Sequence, residues 1–253
     1  ESTGIYVQQT SATSFNSSIR IQGLDGKYTQ ILQDGMPLYG GYSGGLSLLQ
    51  IAPLDLQQVE VIKGSNSTLF GGGAIAGLVN LVTRAPGEEP ENSFLVNLTS
   101  ADGIDTSGFF SRRIGDQNLT LFTSYNSNDA YDPADNGFSA IPEFERWTFK
   151  PRLFFKGANS ESVFGFSVIT EDRLGGNLNH IDGRRLHPTY FEGSDTTRIS
   201  TQFEHIKQLS SGREFVLRNS VSRFDRKLKI PMFSFAGTQT SSFSEMHILG
   251  TNE

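Results

Sequence analysis

The sequence predicts a small α+β domain followed by antiparallel transmembrane β-barrel strands, with the boundary at residues 86/87. Three observations carry that expectation. Before the boundary the chain combines abundant glycine with short apolar runs. After it, longer segments alternate apolar and polar residues. The joints between those segments alternate in turn between short and long.

In residues 1–86 the runs Ile19 to Ile21, Tyr28 to Leu32, Val59 to Ile62 and Leu78 to Val82 are apolar, mostly β-branched and strand-sized. Short buried strands are expected there. Turn material separates them at Gly23 to Gly26, Asp34-Gly35, Gly40-Gly41 and Gly71-Gly72-Gly73, where glycine supplies the positive φ that side chains resist. Leu46 to Ile51, stopped before Pro53, and Leu54 to Gln58 are expected to be helical.

Residues 87–253 change texture. Trp147, Phe149, Leu153 and Phe155 occupy odd positions, with Pro151 the exception, while Arg146, Thr148, Lys150 and Arg152 occupy the even ones. That is period two, with one apolar and one polar face. Leu119, Leu121 and Tyr125 repeat it, as do Ile199, Phe203 and Leu209. Eight such segments are expected, near 92–100, 106–114, 117–126, 145–156, 160–172, 197–209, 213–227 and 239–249. Several approach the ~9–11 residues with which a tilted strand crosses a bilayer. Short turns at 115–116, 157–159 and 210–212 alternate with longer polar connections at 127–144, 173–196 and 228–238. A soluble sandwich has no reason to gather its long loops at one end, whereas an outer-membrane barrel has short periplasmic turns and long extracellular loops. The first strand is therefore expected to rise from the periplasm.

Composition removes other classes. No run of eighteen apolar residues is present, which excludes membrane-spanning helices. With no cysteine there are neither disulfides nor thiolate metal sites. A net charge of -6 and a pI of 5.3, without a basic cluster, exclude a nucleic-acid footprint. Gly71-x-Gly73-x-x-x-Gly77 precedes a strand-like run, where a dinucleotide fingerprint needs a helix. Asp129, Asp132 and Asp135 lack the EF-hand spacing, and His180 and His187 lack a third ligand, so no metal site is assigned. No nucleophile elbow or phosphate-binding loop appears, and neither catalysis nor a cofactor is expected. The chain opens at Glu1 without a targeting segment and stops at Glu253 just after a strand-like stretch, so truncation at both ends is expected.

Four ordered blocks then carry a resemblance: Ile19 to Leu24 (IRIQGL), Gln33 to Leu38 (QDGMPL), Leu54 to Gly64 (LDLQQVEVIKG) and Leu69 to Thr83 (LFGGGAIAGLVNLVT). In order and spacing they resemble the plug of TonB-dependent receptors, over about positions 15–86. Ser65 to Thr68 departs from the family, which often has a proline after the Lys-Gly pair. The resemblance implies a plug folded inside a 22-stranded barrel in the bacterial outer membrane, with residues 87–253 supplying the first staves. It also implies active uptake of a scarce nutrient, by family frequency an iron chelate (siderophore), powered by the TonB-ExbB-ExbD complex. Glycan or cobalamin import, plug-and-barrel adhesion without transport, and a secreted β-rich enzyme are the alternatives.

Within that frame Asp34-Gly35 followed by Pro37 is expected to form an apical turn, with Met36, Pro37, Tyr39 and Tyr42 meeting ligand or else packing on the wall. Arg20 and Glu60 flank apolar strand residues and are expected to join plug to barrel as ion pairs, or else to face lumen water; Lys63 stays open between the two. Gly71, Gly72 and Gly73 are expected to make a tight plug turn on which transport depends.

Overall fold

The computed structural model describes residues 4–9, 17–38, 50–65, 71–100, 102–183, 189–210 and 212–250. Among these described residues the N-terminal part holds six strands: β1 (Ile5–Gln9), β2 (Ser17–Ile21), β3 (Thr29–Gln33), β4 (Met36–Pro37), β5 (Leu56–Lys63) and β6 (Gly77–Thr83). β1 and β2 form an antiparallel pair, and the other four form a sheet in the order β4-β3-β6-β5. β6 runs parallel to β3 and antiparallel to β5. It sits at the centre of that sheet, which explains why Leu78, Val79 and Leu81 form a nearly continuous apolar run and are buried. Ile21, Ala76, Val79 and Leu81 make the core, against which Ile19, Tyr28, Ile31, Leu38, Ile51 and Leu56 pack.

Gly77 lets β5 and β6 approach closely. Its φ is +143°, and a Cβ placed on it would lie 2.2 Å from the backbone oxygen of Ile62. Only glycine fits there.

Leu54 to Gln58, expected as a helix, is instead a single 3-10 turn over Pro53–Asp55 running into β5 at Leu56. Five residues close too few helical hydrogen bonds to hold, whereas pairing with β6 satisfies the backbone at once. The helix expected over Leu46 to Ile51 lies mostly outside the described residues; within it, Gln50 and Ile51 belong to no α-helix.

The remaining strands are β7 (Glu91–Leu98), β8 (Ile104–Ile114), β9 (Gln117–Asn128), β10 (Glu143–Lys156), β11 (Ser160–Gly176), β12 (Phe191–Gln208), β13 (Arg213–Ile230) and β14 (Phe233–Gly250). They form one sheet in chain order, every neighbour antiparallel. All eight expected strands are present, but those at the C-terminal side reach 18 residues. The long connection expected at 228–238 is thereby corrected: the ladder runs to Ile230↔Phe233, leaving Pro231 and Met232 as the turn. Leu228, Ile230, Phe233 and Phe235 keep the alternation going through a stretch whose Pro-Met turn and Gly237 make it look irregular.

Two long connections remain, 129–142 and 177–190, and they are stitched together. Ser139 N donates to Gly176 O at 2.9 Å, Gly176 N to Ser139 Oγ at 2.8 Å, and Leu178 N to Gly137 O at 3.0 Å. Asp132 takes N–H donors from Ala134 and Gly137, so its role is to cap a turn. His180 stacks on Phe191, ring centroids 4.0 Å apart.

Alternation along the strands sorts side chains onto two faces. Even positions of β10 turn toward the N-terminal domain, and Arg146 and Thr148 are buried there; odd positions turn away, leaving Trp147 and Phe149 about half exposed. The away-facing surface is an apolar belt. It includes Phe94, Val96 and Leu98 on β7, Trp147 and Phe149 on β10, Phe164 and Val168 on β11, Val221 and Leu217 on β13, and Met246 and Ile248 on β14. This is the inverted pattern of a sheet whose outer solvent is hydrocarbon.

Candidate functional site

Two groups of inward side chains stand out, one binding the N-terminal domain to the sheet and one lining the wall beyond it. The first is an ionic clamp. Lys150 Nζ lies 3.0 Å from Asp55 Oδ2, both nearly buried, and Arg152 Nη2 lies 3.5 Å from Asp34 Oδ2. Arg152 also donates to Thr83 Oγ1 and, at 3.3 Å, to the carbonyl of Arg84.

Local backbone chemistry places each partner. Asp34 takes φ +51°, which Asp tolerates in a tight turn, and its carboxylate accepts from Thr83 N at 2.9 Å and Thr83 Oγ1 at 2.8 Å. Gly35 N donates to Asn80 Oδ1 at 3.0 Å. The Asp34-Gly35 turn is thus pinned to β6 before Arg152 reaches it. Asp55 closes the 3-10 turn ahead of β5. Phe122 lies under the Lys150 ammonium, 5.8 Å from nitrogen to ring centroid, and Phe154 under the Arg152 guanidinium at 4.9 Å. Gln33 Nε2, 3.5 Å from Gln202 Oε1, extends the seam to β12.

The second group is a cationic wall. Arg146, Arg173, Arg198 and Arg226 come from four adjacent strands, β10 to β13, and all face inward. Glu171 lies between two of them, its carboxylate oxygens 2.5 Å from Arg146 Nε and 2.7 Å from Arg173 Nη2. Arg226 Nε donates to Ser194 Oγ at 3.1 Å. Phenylalanines interleave: Arg146 stands over Phe144 at 5.2 Å and Arg198 over Phe224 at 4.7 Å. Arg146, Arg173, Arg198 and Phe224 are buried, and Arg226 is the half-buried member at the edge of the cluster, where an anionic molecule can meet a guanidinium backed by the positive charge behind it. A cleft of about 510 Å³ reaches this wall at Arg146, between Gln50 to Leu54 on one side and Asp105, Asn126 and Thr148 on the other.

The residues singled out in the sequence fall as follows. Met36 is buried on β4 and Pro37 half-buried, so in this structure Met36 packs inside rather than presenting itself to a ligand. Tyr39 and Tyr42 lie outside the described residues. Arg20 sits opposite Tyr6 on β2, and Glu60 accepts from Gln58 and Asn80 within the small sheet, at 2.7 and 2.8 Å. Neither belongs to the ion pairs that join the domain to the sheet among the described residues. Those include Asp55 with Lys150 and Asp34 with Arg152, whose cations come from the polar face of β10 far away in sequence, and Arg84 with Glu91 at the start of β7. Gly71, Gly72 and Gly73 lie in a 3-10 turn over Gly71–Ala74. At Gly73 a Cβ would meet Gln30 Oε1 at 2.6 Å, the movable end of a side chain, so Gly77 is the more stringent of the two. Of the four wall arginines, Arg146 was marked in the sequence as a polar member of an alternating strand, whereas Arg173 fell in the connection expected at 173–196. Their inward parity was the usable signal, since an inward arginine on each of four successive strands converges on one patch.

Comparison with known proteins accounts for both the domain and the sheet. Residues 1–78 match the family model of the TonB-dependent receptor plug domain. The chain shares its fold with the siderophore receptor PirA from Acinetobacter baumannii, at 18% identity and a TM-score of 0.73, covering 96% of this chain and 40% of that one. It also shares it with the ferripyoverdine receptor of the Pseudomonas aeruginosa outer membrane, at 12% identity and 0.71, over 97% and 36%. The receptor in the FpvAI-pyocin S2 complex matches at 14% and 0.75, over 99% and 35%. This chain therefore spans about two fifths or less of the structures it matches. Residues 1–78 are thus recognised as a TonB-dependent receptor plug domain, and the chain as a whole has the fold of TonB-dependent outer-membrane receptors, as a plug domain plus the first barrel strands.

Proposed function

We propose that the receptor containing this chain binds an anionic iron chelate from outside the cell and imports it at the expense of TonB-ExbB-ExbD. One observation carries the reading: four inward arginines on adjacent strands, interleaved with Phe144 and Phe224, with Glu171 as the carboxylate held between two of them. Many ferric chelates are anionic, and this cluster offers them the half-buried guanidinium of Arg226 with the charge of the buried arginines behind it. That the matched structures include siderophore and ferripyoverdine receptors supports the same choice.

The plug clamp belongs to the same reading. Asp34 and Asp55 hold the plug against Lys150 and Arg152, and these contacts yield when the plug is pulled. Ion pairs suit such a joint because water entering the seam solvates the charges as they separate.

The test is growth on limiting iron. The full-length receptor is placed in a host lacking other chelate receptors and offered a panel of ferric chelates. Uptake of an anionic chelate, lowered at least tenfold by Arg226→Gln with surface levels unchanged, is the expected result. Indifference of uptake to Arg226, or transport confined to neutral oligosaccharides, defeats the proposal.

A further inference from the structure

Inside the sheet and apart from Arg226, the cavity of about 510 Å³ between the plug segment Gln50 to Leu54 and the wall of β7 to β10 has a chemistry of its own. Asn97, Asp105 and Asn126 are successive register partners on β7, β8 and β9, one pair short of Leu98↔Ile104. They are wired together. Asn97 Nδ2 donates to Asp105 Oδ2 at 3.0 Å, Asn126 Nδ2 to Asp105 Oδ1 at 2.8 Å, and Ser124 Oγ to Asn126 Oδ1 at 3.3 Å. The carboxylate is thereby fixed in place with acceptor capacity to spare.

The plug side of the cavity is apolar at Ile51 and Pro53 and carries one further acceptor. Gln50 is 3% exposed, and its Oε1 has no hydrogen-bond partner among the described residues. A buried acceptor left unpaired is costly, and an occupant that donates to it removes that cost.

Charge narrows the choice of occupant. An anion entering here meets the carboxylate of Asp105. An ammonium meets Arg146, which with Arg173 outnumbers the Glu171 between them. A neutral molecule with hydroxyls on one side and C–H groups on the other satisfies both walls, and the volume lies within the range of small-molecule sites.

We propose that this cavity binds the ring of a neutral sugar. Its hydroxyls donate to Asp105, to Asn97 Oδ1 and to Gln50 Oε1, and its C–H face lies on Ile51 and Pro53. A glycosylated chelate and a free glycoside present the same hydroxyls, so the chemistry is shared by two sources. The cavity meets the arginine cluster at Arg146 and does not include Arg226, so the site stands whether or not the receptor imports an anionic chelate.

The test is a saturation-transfer NMR titration of the full-length receptor, held in a detergent without sugar groups. The probes are methyl β-glucoside, methyl β-glucuronide and the methyl glycoside of glucosamine. The neutral glycoside is expected to bind about tenfold tighter than either charged analogue. Equal affinities, or binding of none, overturn the proposal. Gln50→Leu removes the unpaired acceptor at nearly constant volume, so it should fold at least as stably as the parent while weakening the glycoside about tenfold. Asp105→Ala should weaken it as much, and glycoside binding unchanged in both variants excludes the site. A matched pair of ferric chelates, with and without a glucosyl group, then identifies the source. Tighter binding of the glucosylated member, cancelled by Gln50→Leu, puts the sugar on the chelate; equal binding of the pair beside a positive glycoside titration assigns it to free sugar. All of these titrations are read without uptake, so failure of the import reading leaves them intact.

Discussion

At the scale of single residues, backbone geometry separates glycines that are required from those that only permit a turn. Gly77 combines φ +143° with a backbone oxygen where a Cβ would go, so neither rotation nor a neighbour's movement relieves Gly77→Ala. Strain of roughly 1–3 kcal/mol is expected at such a position, more if β5 is pushed off β6. The full-length receptor carrying Gly77→Ala should show a protease-sensitive plug, while Gly73→Ala, facing only the amide of Gln30, should resist like the parent; equal resistance of the two excludes this account. Met232 offers the opposite case. It stands at the tip of the β13–β14 hairpin with φ +63° and is fully exposed, a conformation glycine or asparagine adopts with less strain. Met232→Gly should leave stability unchanged or raise it by up to about 1 kcal/mol, read from urea unfolding in detergent. From the sequence the conspicuous run Gly71 to Gly73 drew the eye as the turn on which transport depends, and Gly77 did not. Which glycine is indispensable depends on what strand lies opposite, and that is tertiary information.

At the scale of elements, β10 carries the join between plug and barrel, and its ion pairs lend themselves to a thermodynamic cycle. Lys150 and Asp55 are both largely withdrawn from water, so removing one takes the ion-pair partner from the other. Lys150→Met or Asp55→Leu alone should destabilise plug docking by about 3–5 kcal/mol, whereas the double variant should recover most of the loss, because two buried charges disappear together. Additive losses, measured by plug release in denaturant, count against a direct pair. The alternation that made β10 legible also placed Arg146, Lys150 and Arg152 on one face, yet Arg20 and Glu60 looked the better partners for the barrel. They flank core strands in sequence, but Glu60 satisfies itself with Gln58 and Asn80, and the acids that reach β10 sit in turns. Turn residues project beyond the sheet they connect. Strand residues exchange hydrogen bonds within it. Leu54 to Gln58 was misread for a related reason: a five-residue run fits either period, and pairing with β6 decides it.

At the scale of the whole molecule, the apolar belt crosses the sheet obliquely, and that slope carries a further prediction. Phe149, Val168, Ile199, Arg223 and Thr240 are successive register partners from β10 to β14, yet the row begins in the apolar belt and ends among charged and hydroxyl side chains. On β14 the outward apolar residues are Met246 and Ile248, several positions further along the strand. Hydrogen-bonded rows run perpendicular to strands, so in strands tilted some 35–45° a row climbs relative to the membrane plane. Residues that share a row should therefore lie at different depths. Residues 1–253 contain no cysteine, which allows single labels there. A polarity-sensitive fluorophore on Phe149→Cys in the reconstituted full-length receptor should emit to the blue and be quenched by a quencher on the acyl chains. On Thr240→Cys it should emit to the red and answer to a quencher in the aqueous phase. Substitution by arginine should follow the same order: about 2–4 kcal/mol at Phe149 if it lies near the midplane, and close to nothing at Thr240, whose row neighbour is already an arginine. Matching depths for the two labels mean that strands cross the bilayer upright and that the belt has been drawn wrongly.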